Sequence, residues 1–385
     1  MRILLASSSS GSRGGGELFL LLLGSSLSKR GHEVCLWASD HPRMNDLSER
    51  FGAFGRVHRS CYSNTYDRRL RALGAYFDIH TAKRVAKEWN SLSPDVVHLN
   101  KQNLEDALDL GNALQRARIP GVCTIHITQS ASYLKARSAG IRDLVSRHGL
   151  QQLDSPLVAV SHQRAVQLKK FLARRHDQIV CIPNGVKIPA AHQLARDRII
   201  ARSDLGLAPS DVLFLGVGRM VAQKRPLLFL QTARAILEQM PNAKFCWVGD
   251  GDLRGRWDQA VQEFGLNARV TTPGWILDPA PFYAAADVFL HTAAYEGMPL
   301  AVLEGLAAGL PCCLTPNLIE DLQWSGRPGI VPIDPDNSAW ASRLQDSVQR
   351  KELGNSARQC AVELHSADQM ATRYLRIYES TLGTP

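Results

Sequence analysis

Short apolar runs recur along this chain, each stopped by glycine or a small polar residue and followed by a segment of helical length. One series lies at residues 2–6, 33–38, 95–99, 121–126 and 156–161, with a further apolar stretch at 179–186. A second lies at 212–219, 244–251, 270–275, 287–291, 309–314 and 329–333. A strand buried on both faces shows no polar alternation, so such runs read as strands of parallel sheets covered by helices on either side. Strands and helices alternating in order predict an α/β protein with doubly wound sheets. The alternation pauses near residues 187–190 and then restarts, and 385 residues are long for a single core. The expectation is two Rossmann-like domains, 1–188 and 189–366, with helices over 344–382. Residues 53–65 read as irregular, and one continuous helical stretch is expected over about 66–91.

The charge balance narrows the class of partner. The formal net charge of +9 is lopsided: residues 1–190 carry 27 Lys/Arg against 15 Asp/Glu, and the remainder 18 against 21. A basic amino-terminal half points to phosphates, a lipid carrier or a membrane face. Nucleic acid is not indicated, because no basic patch interleaved with aromatics is found. No run approaches the ~18 apolar residues of a membrane-spanning helix. Leu18 to Leu23 is six residues long and sits where a buried helix should start, so a cytoplasmic protein is expected. Eight cysteines without a C-x-x-C pair argue for buried free thiols, not zinc or a disulfide framework.

The stretch richest in chemistry is Glu296-Gly297-Met298-Pro299-Leu300-Ala301-Val302-Leu303-Glu304, with two carboxylates eight positions apart. Pro299 suits a helix start, and the free N–H groups near Gly297 to Leu300 form an anion site at the carboxyl edge of a sheet. The plain alternative is an ordinary strand, turn and helix with two solvated glutamates. Earlier in the chain, Gly14-Gly15-Gly16-Glu17 is a glycine turn between strand and helix, and His126 ends a strand at the crevice. Gly218, Arg219 and Lys224 follow the first strand of the second series; Arg can fork onto two phosphate oxygens and Lys supplies a compact charge. Gly249-Asp250-Gly251 and Pro273-Gly274-Trp275 close the next two strands. Each of these can also be a structural turn, a structural histidine or a surface charge; His98 and His80 read as structural, bonding a neighbouring carbonyl.

Taken together, these residues resemble the motifs of retaining, nucleotide-sugar-dependent glycosyltransferases of family four, above all its E-x7-E motif. That family has the GT-B fold, two Rossmann-like doubly wound parallel-sheet domains facing across a cleft. The resemblance implies that Glu296 meets the hydroxyls of the transferred sugar and Glu304 those of the ribose, with Gly297, Met298, Pro299 and Leu300 between them. Gly15 and Gly16 match a G-G-x-E loop at the donor phosphate and acceptor. His126 matches a T-x-H position near the reacting carbon. Gly218, Arg219 and Lys224 match V-G-R-x-x-x-x-K, whose cations hold the diphosphate. Gly249, Asp250, Gly274 and Trp275 border the nucleobase. Arg225 departs from the pattern, which has glycine there. The phrase Ile182-Pro183-Asn184-Gly185-Val186 resembles the entry to the interdomain linker, and the final helix, 367–381, is expected to return to the first domain.

The implied activity is transfer of a sugar, from a UDP-sugar by preference, to an acceptor hydroxyl in cell-surface polysaccharide, lipopolysaccharide or glycolipid assembly. Catalytic roles fall to His126, Glu296, Arg219 and Lys224. No metal and no cofactor are implied; the triplets Asp250-Gly251-Asp252 and Asp334-Pro335-Asp336 read as turns. Partners are the donor, a sugar or lipid-linked acceptor and an inner membrane face approached by the basic domain, with Leu70, Leu73 and Phe77 as an apolar stripe among Arg68, Arg69, Arg71, Lys83, Arg84 and Lys87. The competing readings are a GT-B transferase of small acceptors, a phosphorylase or epimerase of that fold, a nucleotide-sugar-binding protein without catalysis, and an NAD oxidoreductase. The last lacks the G-x-G-x-x-G spacing.

Overall fold

A computed structural model describes residues 1–11, 14–68, 70–173, 179–334 and 339–383. The chain divides into two compact units, Met1–Gly185 with Ala367–Pro385, and Val186–Ser366.

The first unit holds strands β1 (Arg2–Ser7), β2 (Glu33–Ser39), β3 (Arg56–Ser60), β4 (Val96–Asn103), β5 (Gly121–Ile127), β6 (Leu157–Ala159) and β7 (Ile179–Cys181). They form one parallel sheet in the order β3-β2-β1-β4-β5-β6-β7. Alternate side chains fill two cores. Leu4, Ala6, Val97 and Leu99 pack on one face with Trp37 and Trp89, while Ile3, Leu5, Leu36 and Val96 pack on the other with Phe19 and Leu20. The second unit holds β8 (Val212–Val217), β9 (Ala243–Val248), β10 (Val270–Gly274), β11 (Val288–His291), β12 (Cys312–Leu314) and β13 (Ile330–Pro332). Its parallel sheet runs β10-β9-β8-β11-β12-β13. Both sheets are Rossmann-like and doubly wound, as the resemblance to the GT-B fold leads one to expect. In each sheet the winding reverses once, between β1 and β4 and between β8 and β11. Ligands of open α/β sheets bind outside the carboxyl ends of the strands at such a reversal.

The closing helix, Ala367–Thr381, belongs to the first unit. Its Met370, Ala371, Tyr374 and Tyr378 are buried against the helix Gly15–Lys29. The Tyr378 hydroxyl meets His98 Nδ1 at 2.6 Å, His98 Nε2 meets Thr124 Oγ1 at 2.9 Å, and that hydroxyl meets Tyr374 at 2.9 Å. His98 is therefore structural but bonds hydroxyls, not a carbonyl; burial, with the neighbouring His126 adding, drives its imidazole down to about 3. His80 is exposed.

Three expectations are corrected. Residues 53–65 contain strand β3, whose Arg-Val-His-Arg-Ser sequence gives no apolar run because it lies at the sheet edge and is largely half-buried. The helix expected over 66–91 is broken into a 3-10 turn Thr65–Asp67 and helices Arg71–Phe77 and Ile79–Leu92. Asp78 makes the break: it caps the second helix by accepting from the Thr81 N–H at 2.9 Å and pairs with Arg68 at 2.9 Å. The helix Arg71–Phe77 buries Ala72 and Ala75 and leaves Leu70 and Phe77 64% and 68% exposed, so those two ends of the apolar stripe face outward while Leu73 is half-buried. Arg69 lies outside the described residues. All eight cysteines are free thiols, but not all are buried: Cys61 is exposed, and Cys35 and Cys181 are half-buried. Among the described residues no helix is long and apolar enough to cross a membrane.

Candidate active site

In the second unit the carboxyl ends of β8, β9 and β10 are tied together by glycines. The Gly218 N–H donates to the Val248 carbonyl at 3.0 Å, and the Gly249 N–H donates to the Gly274 carbonyl at 2.7 Å. Gly249 has φ +140°, and a Cβ there would lie 2.0 Å from the Gly218 carbonyl oxygen. Only glycine allows this approach of the two loops. The loop after β8 then runs through exposed Arg219 and buried Met220 to a 3-10 turn, Ala222–Lys224. Arg219 has no side-chain partner among the described residues. Arg225 follows at φ +48°, which explains why glycine is favoured there, and Pro226 opens the helix Pro226–Gln239.

That loop is strapped to the loop after β11. The Ala294 N–H donates to the Gln223 carbonyl at 2.8 Å, and Gln223 Nε2 to the Tyr295 carbonyl at 3.0 Å. Arg225 Nε donates to the Thr292 carbonyl at 2.8 Å, and the Thr292 hydroxyl returns a bond to the Arg225 carbonyl at 3.0 Å. The strap brings Lys224 to Glu296, where its ammonium pairs with Oε1. His291, the last residue of β11, reaches the same oxygen with Nε2 at 3.0 Å. A carboxylate only accepts, so this nitrogen carries a proton. Burial raises the Glu296 carboxyl, yet the Lys224 charge and the His291 bond outweigh it and hold the group down at about 2. Burial lowers the His291 imidazole despite its carboxylate neighbour. Glu296 Oε2 has no hydrogen bond among the described residues, so a ionised oxygen remains for a ligand.

Beyond Glu296, Pro299 caps the helix Leu300–Ala307 from outside, one position earlier than a first-turn proline. The N–H groups of Gly297, Leu300 and Ala301 meet no acceptor among the described residues. Free N–H groups at a helix start, between two glutamates, have the polarity to hold an anion. Met298 is buried and underlies the turn. Glu304 sits within the helix, half-buried; burial pushes its carboxyl up to about 7, with the Tyr283 hydroxyl opposing and the Asp278 charge assisting. On the β9 and β10 side, Asp250 is exposed and uses Oδ1 to accept from the Gly251 N–H at 2.8 Å, capping its own turn. Trp275, after Gly274, is 40% exposed. The second Asp-x-Asp triplet ends on Asp336, outside the described residues.

In the first unit the helix Gly15–Lys29 begins at the sheet's reversal. Gly14 is its cap, with the Gly14 N–H donating to Glu17 Oε2 at 2.9 Å. The Gly15 and Gly16 N–H groups meet no acceptor among the described residues. His126, near the end of β5, is buried, with Nε2 at 2.8 Å from Asn100 Oδ1 and Phe19 edge-on at 5.0 Å. Burial drives its imidazole down to about 4.

The geometry can be set beside known proteins. A family model described as Glycosyltransferase Family 4 matches residues 13–188, and one described as Glycosyl transferases group 1 matches 199–350. The chain belongs to the family-four glycosyltransferases. The Anabaena HepE structure, solved with UDP and glucose, has a TM-score of 0.77 at 20% identity, covering 99% of this chain and 100% of that one. Sucrose-phosphate synthase from Thermosynechococcus elongatus gives 0.76 at 20%, with both chains fully covered. A UDP-Gal:alpha-D-GlcNAc-diphosphoundecaprenol alpha-1,3-galactosyltransferase of Escherichia coli is 36% identical over 141 residues, 36% of this chain and 36% of that enzyme. This chain thus aligns with about a third of that relative's length. The N-acetyl-alpha-D-glucosaminyl L-malate synthase of Bacillus anthracis is 24% identical over 374 residues, 94% of this chain and 92% of that enzyme.

This family-four glycosyltransferase also carries residues at its two sheet reversals that no motif flagged. His291 and Thr292 are one; Asn100, Gln102 and the clamp role of Arg225 are others. A weak signal existed for Asn100 and His291. Each is a buried polar residue in a largely apolar strand, where only a bonded side chain is tolerated.

Proposed function

We propose that this chain transfers a sugar from a nucleoside diphosphate sugar, UDP-sugar by preference, to an acceptor hydroxyl with retention of anomeric configuration. The observation that carries this reading is the Glu296 site itself: a cation, an ionised carboxylate with one oxygen open, and unpaired amides at one sheet reversal. The leaving diphosphate gains negative charge in the transition state. Arg219, Lys224 and the amides of Gly297, Leu300 and Ala301 offset that charge by fixed electrostatics, without a divalent metal. Glu296 Oε2 accepts from a hydroxyl of the transferred sugar, and Glu304 accepts from the ribose. Gly249, Gly274 and Trp275 border the base. No side chain serves as a covalent nucleophile, and attack comes from the face of the leaving group.

Several features favour a lipid-linked or polysaccharide acceptor. The Escherichia coli relative is named for a diphosphoundecaprenol acceptor, and an Acholeplasma laidlawii relative, 23% identical over 241 residues, is an alpha-monoglucosyldiacylglycerol synthase. Leu70 and Phe77 stand exposed beside Arg71, and Ile141 and Leu144 of the adjoining helix Ala139–Gln151 are 55% and 63% exposed. Such a basic, apolar face suits peripheral contact with an anionic membrane from the cytoplasmic side. The nearly full-length match to an enzyme named N-acetyl-alpha-D-glucosaminyl L-malate synthase favours a second reading, transfer to a small soluble acceptor.

The test is turnover of radiolabelled nucleotide sugars by the wild type and by Glu296→Ala and Arg219→Ala. Full activity in both variants refutes the assignment. Loss of wild-type activity on chelation refutes the metal-free part, and labelled product formed only with a soluble acceptor selects the second reading.

A further inference from the structure

His126 lies in a hydrogen-bonded chain whose polarity can be read from one end. The chain starts at the Gly16 carbonyl, which can only accept. The Asn100 atom that meets it at 3.2 Å is therefore Nδ2. Asn100 is fully buried, so its amide does not turn freely, and its other end, Oδ1, faces His126 Nε2 at 2.8 Å. An amide oxygen also only accepts, so Nε2 must carry a proton. A Cβ on Gly16 would lie 2.1 Å from the Gln102 side-chain amide, so glycine lets the helix start lie close to β4 and its carbonyl reach Asn100.

The other ring nitrogen, Nδ1, has no hydrogen bond among the described residues. A second proton there would make a buried cation. Among the described residues no carboxylate acts on the ring to stabilise it; its neighbours include the Phe19 edge and the neutral His98. Burial alone holds the imidazole down at about 4, well below neutrality.

We infer that Asn100 is a positioning residue that locks His126 with its proton on Nε2, so that Nδ1 reads a substrate hydroxyl as a hydrogen-bond acceptor. A sugar-linked diphosphate or a carboxylate has no proton to give at neutral pH, so the same atom turns such an anion away. His126 then neither takes nor gives a proton in the reaction; it selects a hydroxyl. The hydroxyl belongs to the donor sugar or to the acceptor, and that part rests on the transferase reading.

Two measurements decide it. In uniformly 15N-labelled wild type near neutral pH, long-range 15N–1H spectra should show the His126 ring neutral with Nδ1 unprotonated. The ring is assigned by loss of its signals in His126→Gln or by contacts to Phe19. Asn100→Leu should mix the tautomers while Asn100→Asp keeps the proton on Nε2. A wild-type ring protonated on Nδ1, or doubly protonated, overturns the inference whatever the protein's activity. In turnover, donor and acceptor analogues with single hydroxyls replaced by hydrogen or fluorine should reveal one position where both replacements cost the same, roughly fivefold to tenfold in kcat/KM. Fluorine cannot donate, so the two should match, and the penalty should vanish in His126→Ala. A fluorinated substrate that keeps full rate at the position His126 senses overturns it. The molecule carrying that position names the source. If no sugar is transferred to any acceptor, the proposed function fails while the spectra still settle the tautomer.

Discussion

The Lys224 ammonium and the Glu296 carboxylate, 72 positions apart in the chain, form a buried ion pair at the reversal of the second sheet. Both are largely withdrawn from water, with side chains 17% and 8% exposed. Removing one partner of such a pair strands the other charge, which costs about 3–5 kcal/mol. Lys224→Ala should therefore lower the melting temperature more than the double variant Lys224→Met with Glu296→Gln. All of these variants should lose transfer activity. A Lys224→Ala protein as stable as the double variant would contradict the pairing.

Acid should weaken the second unit in a definite window. The Glu296 carboxyl stands at about 2 in the folded chain against an ordinary 4.5. Its contribution to stability is present in full above the ordinary value and is lost as pH falls from there toward 2. Chemical denaturation across that range should show a slope that is reduced in Glu296→Gln.

Glu304 should couple donor binding to protons. Burial holds its carboxyl up at about 7, and hydroxyls donated by a ribose would favour the ionised form. Below that value, binding a nucleoside diphosphate should expel up to about one proton. Affinity should therefore weaken as pH falls through 7. Calorimetry in buffers of different ionisation heat reads the proton directly. Glu304→Gln should abolish both the release and the pH dependence.

Gly249→Ala and Gly218→Ala should differ. At Gly249 the added carbon meets the Gly218 carbonyl at 2.0 Å, whereas at Gly218 it meets only the flexible Lys224 stem at 3.6 Å. Both positions have a positive φ, at +140° and +155°, so each substitution carries backbone strain of about 1–3 kcal/mol. Only Gly249→Ala adds a backbone collision. It should lower the melting temperature further and abolish nucleotide binding.

Tyr378→Phe should cost stability without touching turnover. It leaves His98 Nδ1 without the hydroxyl that meets it at 2.6 Å, a loss of roughly 1–3 kcal/mol for a buried polar atom. Thermal unfolding measures the cost. An unchanged kcat shows that the closing helix supports the core and does not enter the chemistry.

The two parallel sheets were legible in the linear chain because strands buried on both faces need apolar side chains at every position, as in Val212 to Val217. The glycine turns were legible for a related reason: a tight strand-to-helix turn leaves few other residue types. Strand β3 was hidden because an edge strand needs little burial and so prints no pattern. The break at Asp78 was hidden because it depends on Arg68 as well as on a local cap. Tertiary folding alone brought Lys224 to the Glu296 oxygen that the nearby His291 also meets, and Gly16, Asn100 and His126 into one chain. Periodicity records which face of a strand is dry. It does not record which polar atoms meet once the sheets have wound, since a hydrogen bond between separate elements leaves no local spacing to read.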